Sequence, residues 1–197
     1  LTDTDNMFGA LEFSEKLAGG GIQPIVGCTL AIDFGDQEKR RGPGGTAPGE
    51  HFTRIVLLAA RQEGYRSLMR LCSRAYLETE PQQRPHIRLD WLDGETAGLI
   101  ALSGGPGGPL DAAFAGGQDP LAQSRSETLQ RLFGDRLYLE LQRHGTPGER
   151  AIEAPLIELA YARGIPLVAT NEPFFATRED YEGHCALLCI AEVQLVA

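Results

Sequence analysis

Asp3, Asp5, His144 and Glu172 sit where apolar runs of this sequence give way to turns, and they are the residue types that hold divalent metals. Beside them, at the same kind of place, stand Thr4 and Asn6, Cys28 and Thr29, Gly104 and Gly105, Gln142 and Arg143, and Asn171, Pro173 and Phe174. A hydrolytic site with two or three metals needs several His and carboxylate donors converging on one point. Four such residues are few, and each has a plainer role. Asp3 and Asp5 can cap a following helix, Glu172 can make a turn, and His144 can be a base, a ligand or a half-exposed loop residue.

The remaining reactive residue types offer less. His184 and Cys185 are neighbours within a helical stretch, with no Asp or Glu at a triad position, so a Cys/His nucleophile is poorly supported. His51 and His86 lie in segments rich in Pro, Gly and charge, where solvated side chains are expected. SGGPGGP at 103–109 lacks the Lys-Ser/Thr ending of a phosphate loop and does not match GxGxxG, so it reads as a turn. The four cysteines, Cys28, Cys72, Cys185 and Cys189, show no CxxC pair and no zinc spacing, which predicts reduced, mostly buried thiols in a cytoplasmic protein.

Positioning these residues falls to alternating strands and helices. MFGALEFSEKLA (7–18) has helical spacing behind the possible caps Asp5 and Asn6, and IQPIVGCTLAIDF (22–34) reads as a strand. Residues 35–50 are rich in Gly, Pro and charge and predict an exposed loop. FTRIVLLAA then predicts a strand, RQEGYRSLMRLCSRAYLE a helix, AGLIALSG a strand, DPLAQSRSETLQRLFG a helix and RLYLELQRH an alternating strand. A helix opening on Pro147 and closing on Gly164, a strand over PLVATN and a last helix within 176–192 complete the pattern. Such repetition predicts an α/β fold with one mainly parallel, barrel-like or doubly wound sheet, its chemistry at the carboxyl ends of the strands.

The chain has 197 residues and no apolar run near the roughly 18 residues of a membrane span. Its net charge of -9 argues against gripping a nucleic acid backbone, which requires clustered Lys and Arg. The start, LTDTDNMFGALEF, carries neither a secretory signal nor an initiator Met.

Several stretches carry a resemblance in consistent order: LTDTDNMFGALEF (1–13), GIQPIVGC (21–28), RIVLLAARQEGYRSLMRLCSRAYLE (54–78), GLIALSGG (98–105), YLELQRHG (138–145), PLVATNEPFF (166–175) and GHCALLCIAE (183–192). Together they resemble the PHP domain (polymerase and histidinol phosphatase) at the start of the alpha subunit of bacterial DNA polymerase III. The resemblance implies one PHP domain fragment over 1–197, with a distorted (β/α)7 barrel whose first strand, carrying His-x-His, would stand before Leu1. It also implies a parent DNA polymerase that uses magnesium and meets DNA through other domains, and a partner in a proofreading exonuclease subunit.

In that family the strand ends hold metals for phosphoester hydrolysis, and here the matching positions depart. Thr4 replaces the His of TDHGN, Thr29 the Glu after GC, Arg54 the His opening the LLA strand, and Gly105 the Cys of SGC; Glu172 and Phe174 replace the Asp and His of Asp-x-His. With Asp3, these are the expected vestigial metal-pocket positions. Thr, Gly and Phe ligate weakly or not at all, and Arg54 would oppose a cation by about 4 kcal/mol per unit charge pair at about 4 Å with an effective dielectric near 20. The expectation is therefore no metal, no catalytic residue, and an Arg54–Glu172 ion pair filling the pocket. The segment would brace the polymerase and dock the exonuclease subunit, the alternative being an active metal-dependent phosphoesterase.

Overall fold

The structure is a computed structural model and describes residues 1–36 and 52–192. His51 and most of the expected 35–50 loop lie outside the described residues. The described chain builds β1 (Thr2–Thr4), α1 (Ala10–Gly19), β2 (Gly27–Asp33), β3 (Thr53–Ala59), α2 (Gln62–Leu77), β4 (Ile87–Arg88), β5 (Leu99–Leu102), α3 (Pro109–Ala115), α4 (Asp119–Phe133), β6 (Leu137–Leu141), α5 (Pro147–Arg163), β7 (Leu167–Ala169) and α6 (Tyr181–Glu192).

The strands form one seven-stranded sheet in the order β1-β2-β3-β5-β6-β7, with β4 also pairing β2. β1 and β4 run parallel to β2, and β5, β6 and β7 are parallel in sequence. β3 is antiparallel to both of its neighbours, so β2 and β5 point the same way and β3 alone is reversed. The sheet is mainly parallel, as expected, with β3 the one exception among the described strands. Its consequence is that the amino end of β3 joins the carboxyl ends of the other strands at one edge. No described strand joins β1 to β7, so the sheet is open there.

β2 is buried along six of its seven residues, so it is covered on both faces. Leu30, Ile32, Ile55, Leu57, Leu99, Leu137 and Leu139 meet Leu68 and Leu71 of α2, Leu110 of α3, Leu129 and Phe133 of α4, and Leu156 of α5 in one apolar cluster. α5 is the element most fully written in the sequence: Thr146 and Glu149 form a reciprocal capping box, Pro147 takes the first turn, and Gly164 ends it. α1 starts later than its periodicity predicts, and neither Asp5 nor Asn6 caps it. Its N-cap residue is Gly9, whose N–H donates to Asp3 Oδ2 at 2.9 Å.

Candidate functional site

At the shared edge, β5 ends in Ser103 and turns sharply through the 104–108 glycines. A side chain on Gly104 would place its Cβ 2.1 Å from the Arg54 carbonyl oxygen, and one on Gly108 would lie 2.0 Å from that of Ser103, so the turn can pass only where side chains are missing. Passing there, it aims the Gly104 N–H at the buried Glu140 of β6, Oε2 accepting at 2.6 Å. Thr170, just beyond β7, donates its hydroxyl to Glu140 Oε1 at 2.8 Å, and the Glu140 N–H donates to Ser103 Oγ at 2.9 Å. Gln142 Nε2 donates to Thr170 Oγ1 at 3.2 Å, with its amide against Gly105. Glu140 thus clasps the ends of β5, β6 and β7.

Burial raises the Glu140 pKa above the usual carboxylate value, against the lowering effect of the Thr170 and Gly104 hydrogen bonds. Asp111, on the buried side of α3, is pushed up to about 7, first by burial and then by the Glu140 charge. Among the described residues Asp111 Oδ1 and Gln142 Oε1 find no hydrogen-bond partner although buried, and both residues line a small cleft with Glu140, Glu149 and Pro106. A proton held on Asp111 is the direct way to ease two carboxyls in one dry place.

His144 does not face this cleft as a free base. Its Nδ1 meets Glu149 Oε1 at 2.7 Å and its Nε2 meets Asn171 Oδ1 at 2.8 Å, which pins the residues after β7 to the start of α5. The Glu149 contact, then the Asn171 contact, raise the His144 pKa. The same pairing and the Thr146 capping bonds outweigh the effect of burial and hold Glu149 down at about 2.

The other expected positions are scattered. Asp5 is buried with a left-handed backbone (φ 59°); Oδ1 accepts from the Ala31 N–H at 2.9 Å and Oδ2 pairs with Arg84 Nη2 at 2.5 Å. Thr4 is exposed beside Thr29, whose hydroxyl donates to the Thr2 carbonyl at 3.3 Å. Arg54 is half-buried at the start of β3, its Cδ 3.4 Å from where a Cβ on Gly107 would lie. Glu172 is exposed after β7, and Phe174 stacks on His184, ring centroids 5.4 Å apart. Among the described residues no ion pair joins Arg54 to Glu172, so the expected pair is corrected: β5 and β6 stand between β3 and β7, and the open sheet does not bring them round to each other. His86 is likewise buried rather than solvated, stacked on Phe52 at 3.9 Å with Nδ1 against the Arg84 carbonyl at 2.9 Å. Of the cysteines only Cys28 is buried, and the other three are half-buried free thiols.

Among the described residues, no three His, Cys, Asp or Glu side chains are grouped so that they could hold a metal ion. Asp3 and Asp5 serve backbone amides, and of the substituted positions only the exposed Glu172 keeps a carboxylate, the others bringing hydroxyl, guanidinium, hydrogen or phenyl groups. The side chains present do not fit the metal centre that the resemblance implies. Sequence reasoning named Gln142 and His144 but missed Glu140, Asp111, Glu149 and Thr170. The alternation LYLELQ did place Glu140 and Gln142 on the face opposite Leu139, yet it could not say that this face is covered.

Comparison with known proteins settles the family. The PHP domain family matches residues 1–144. The chain belongs to the PHP domain family. The DNA polymerase III subunit alpha of Caulobacter vibrioides (strain NA1000 / CB15N) is 42% identical to this PHP domain over 195 residues, covering 98% of the chain and 16% of that protein. The subunits of the same name from Thermus aquaticus and Escherichia coli (strain K12) are each 36% identical over 96% and 93% of the chain, and the PHP domain matches 15% of each. It thus spans about one sixth of the length of these relatives. No helix among the described residues is long and apolar enough to cross a membrane.

Proposed function

We propose that this PHP domain is a non-catalytic part of the alpha subunit of a replicative DNA polymerase, bracing the polymerase and docking a separate proofreading exonuclease subunit. The observation that carries the proposal is the loss of donors at the vestigial pocket positions Asp3, Thr4, Thr29, Arg54, Gly105, Glu172 and Phe174. Only Asp3 and Glu172 keep a carboxylate there, and Asp3 already accepts from the Gly9 amide. Hydrolysis of a phosphoester by this superfamily's chemistry needs a gathered donor set, and the residues in place act instead as clasps between strand ends.

A bracing role is supported by what the domain leaves uncovered. Phe174, Tyr181, Leu187, Leu188 and Ile190 around α6 are exposed, as are Phe8 and Leu11 near α1. Exposed apolar groups of this density mark surfaces that other protein covers, here the remainder of the alpha subunit. With the net charge of -9, DNA contact and the magnesium-dependent nucleotide addition belong to other domains of that cytoplasmic polymerase.

The test pairs two assays on the purified chain. Nuclease and phosphatase activity with added manganese or zinc should stay at the level seen with chelator, and calorimetry should detect binding of the exonuclease subunit from the same organism. Metal-dependent cleavage that Asp3→Ala abolishes would establish the active phosphoesterase instead. A lack of binding to the exonuclease subunit would overturn the docking role.

A further inference from the structure

Away from the strand-end clasp, two thiols from different elements touch. Cys28, the second residue of the buried strand β2, and Cys72 on α2 are 44 residues apart in sequence, yet their Sγ atoms lie 3.7 Å apart. Cys28 is fully buried and also directs its thiol at the carbonyls of Asn6 (3.1 Å) and Asp3 (3.3 Å). Cys72 packs against the core but is only half-buried, so part of it is open to a small solute. A disulfide needs sulfurs at about 2.05 Å, less than 2 Å of closure from the present contact.

We propose that Cys28 and Cys72 are an oxidant-sensitive pair that a small hydroperoxide converts into an intramolecular disulfide tethering α2 to β2. Geometry sets the order of events, and the acidities agree with it. The hydrogen bond the two thiols share lowers the pKa of Cys72 and, with burial, raises that of Cys28, so the accessible sulfur is the one that ionises first. The Cys72 thiolate attacks one oxygen of hydrogen peroxide, the O–O bond breaks, and hydroxide leaves and takes up a proton to become water. The resulting sulfenic acid at Cys72 is then attacked by the Cys28 sulfur; the S–O bond breaks, and the departing hydroxide takes the Cys28 proton as a second water. Two thiols lose two electrons to one peroxide. The product gives up the Cys28 thiol contacts to the Asp3 and Asn6 carbonyls, so oxidation also loosens the turn that leads into α1.

The test is peptide mapping without reductant. The chain is treated with hydrogen peroxide, remaining thiols are alkylated, and the digest is read by mass spectrometry. The expected result is a cross-linked peptide pair containing Cys28 and Cys72, lighter than the free pair by two hydrogens, with no disulfide to a second chain. Its melting temperature should rise and return to the starting value with dithiothreitol. Cys28→Ser should stop the reaction at sulfenic acid on Cys72, trapped by a dimedone adduct, while a Cys185→Ser, Cys189→Ser double variant should still cross-link. The proposal is overturned if both thiols remain alkylatable after peroxide, or if Cys72 pairs with Cys185, Cys189 or another molecule. Because mapping of the unsubstituted chain decides the matter by itself, a variant that fails to fold does not shelter the idea.

Discussion

Replacing Asp5 probes the part of the structure that most changed a sequence expectation. Asp5 reads in the sequence as a metal ligand or a helix cap, and in the fold it does neither. Its carboxylate satisfies the buried Ala31 N–H and pairs with Arg84, while its backbone sits at φ 59°. Asp5→Ala leaves a buried amide without an acceptor, which costs about 1–3 kcal/mol. It also removes a carboxylate from Arg84, a pair whose side chains are 11% and 37% exposed, so the usual penalty for a broken buried pair is discounted to about 1–2 kcal/mol. Alanine in the left-handed region adds about 1 kcal/mol. The expected loss for Asp5→Ala is therefore about 3–6 kcal/mol. Asp5→Asn keeps an acceptor for Ala31 and tolerates the backbone, so it should lose only about 1–2 kcal/mol. Urea unfolding followed through the buried Trp91, the only tryptophan of the chain, measures both. Equal losses for the two variants, or a loss under about 1 kcal/mol for Asp5→Ala, would refute the assignment.

Three further outcomes are expected. The folded Asp111 holds its proton up to about 7 against an ordinary 3.8, so its stabilising contribution is complete below about pH 4 and is lost as pH rises towards 7; the full span is about 4 kcal/mol, and Asp111→Asn should flatten the wild-type decline in stability between about pH 4 and 7. An unchanged slope in that variant would show that the burial argument is wrong. His144, raised by Glu149 and Asn171, should titrate above its ordinary value in an NMR pH series and drop towards it in Glu149→Gln; the stability it adds is complete below about pH 6.5 and fades as pH passes its raised midpoint. Gly64→Ala should destabilise by about 1–3 kcal/mol or more, because the new Cβ would lie 2.0 Å from the Gly98 carbonyl oxygen where α2 crosses the start of β5; a neutral result in urea would contradict that contact.

What was legible in the sequence was whatever local chemistry decides. Pro147 and Gly164 bracket α5 because helix ends are set by their own residues, and the apolar runs of β2, β3 and β5 announce buried strands. Direction is not local: periodicity is the same read either way, so the reversal of β3 was invisible, and with it the true neighbours of Arg54. α3 was hidden by the glycines and prolines before it, since its seven residues begin on Pro109, and β4 is only two residues long. The Asp5–Arg84 pair joins residues 79 apart, and Asp111 of α3 and Glu140 of β6 share a cleft only through the tertiary fold. Buried polar partners of that kind are chosen by the tertiary fold, which no window of sequence contains.

In the function proposed above, the strand ends of this PHP domain carry a hydrogen-bonded clasp in place of a metal centre. Metal content, measured by plasma mass spectrometry on protein purified from cells grown with added zinc, manganese and iron, addresses it most directly. None of the three is expected in stoichiometric amount. A stoichiometric metal that is lost on Asp3→Ala or Glu172→Ala would contradict it.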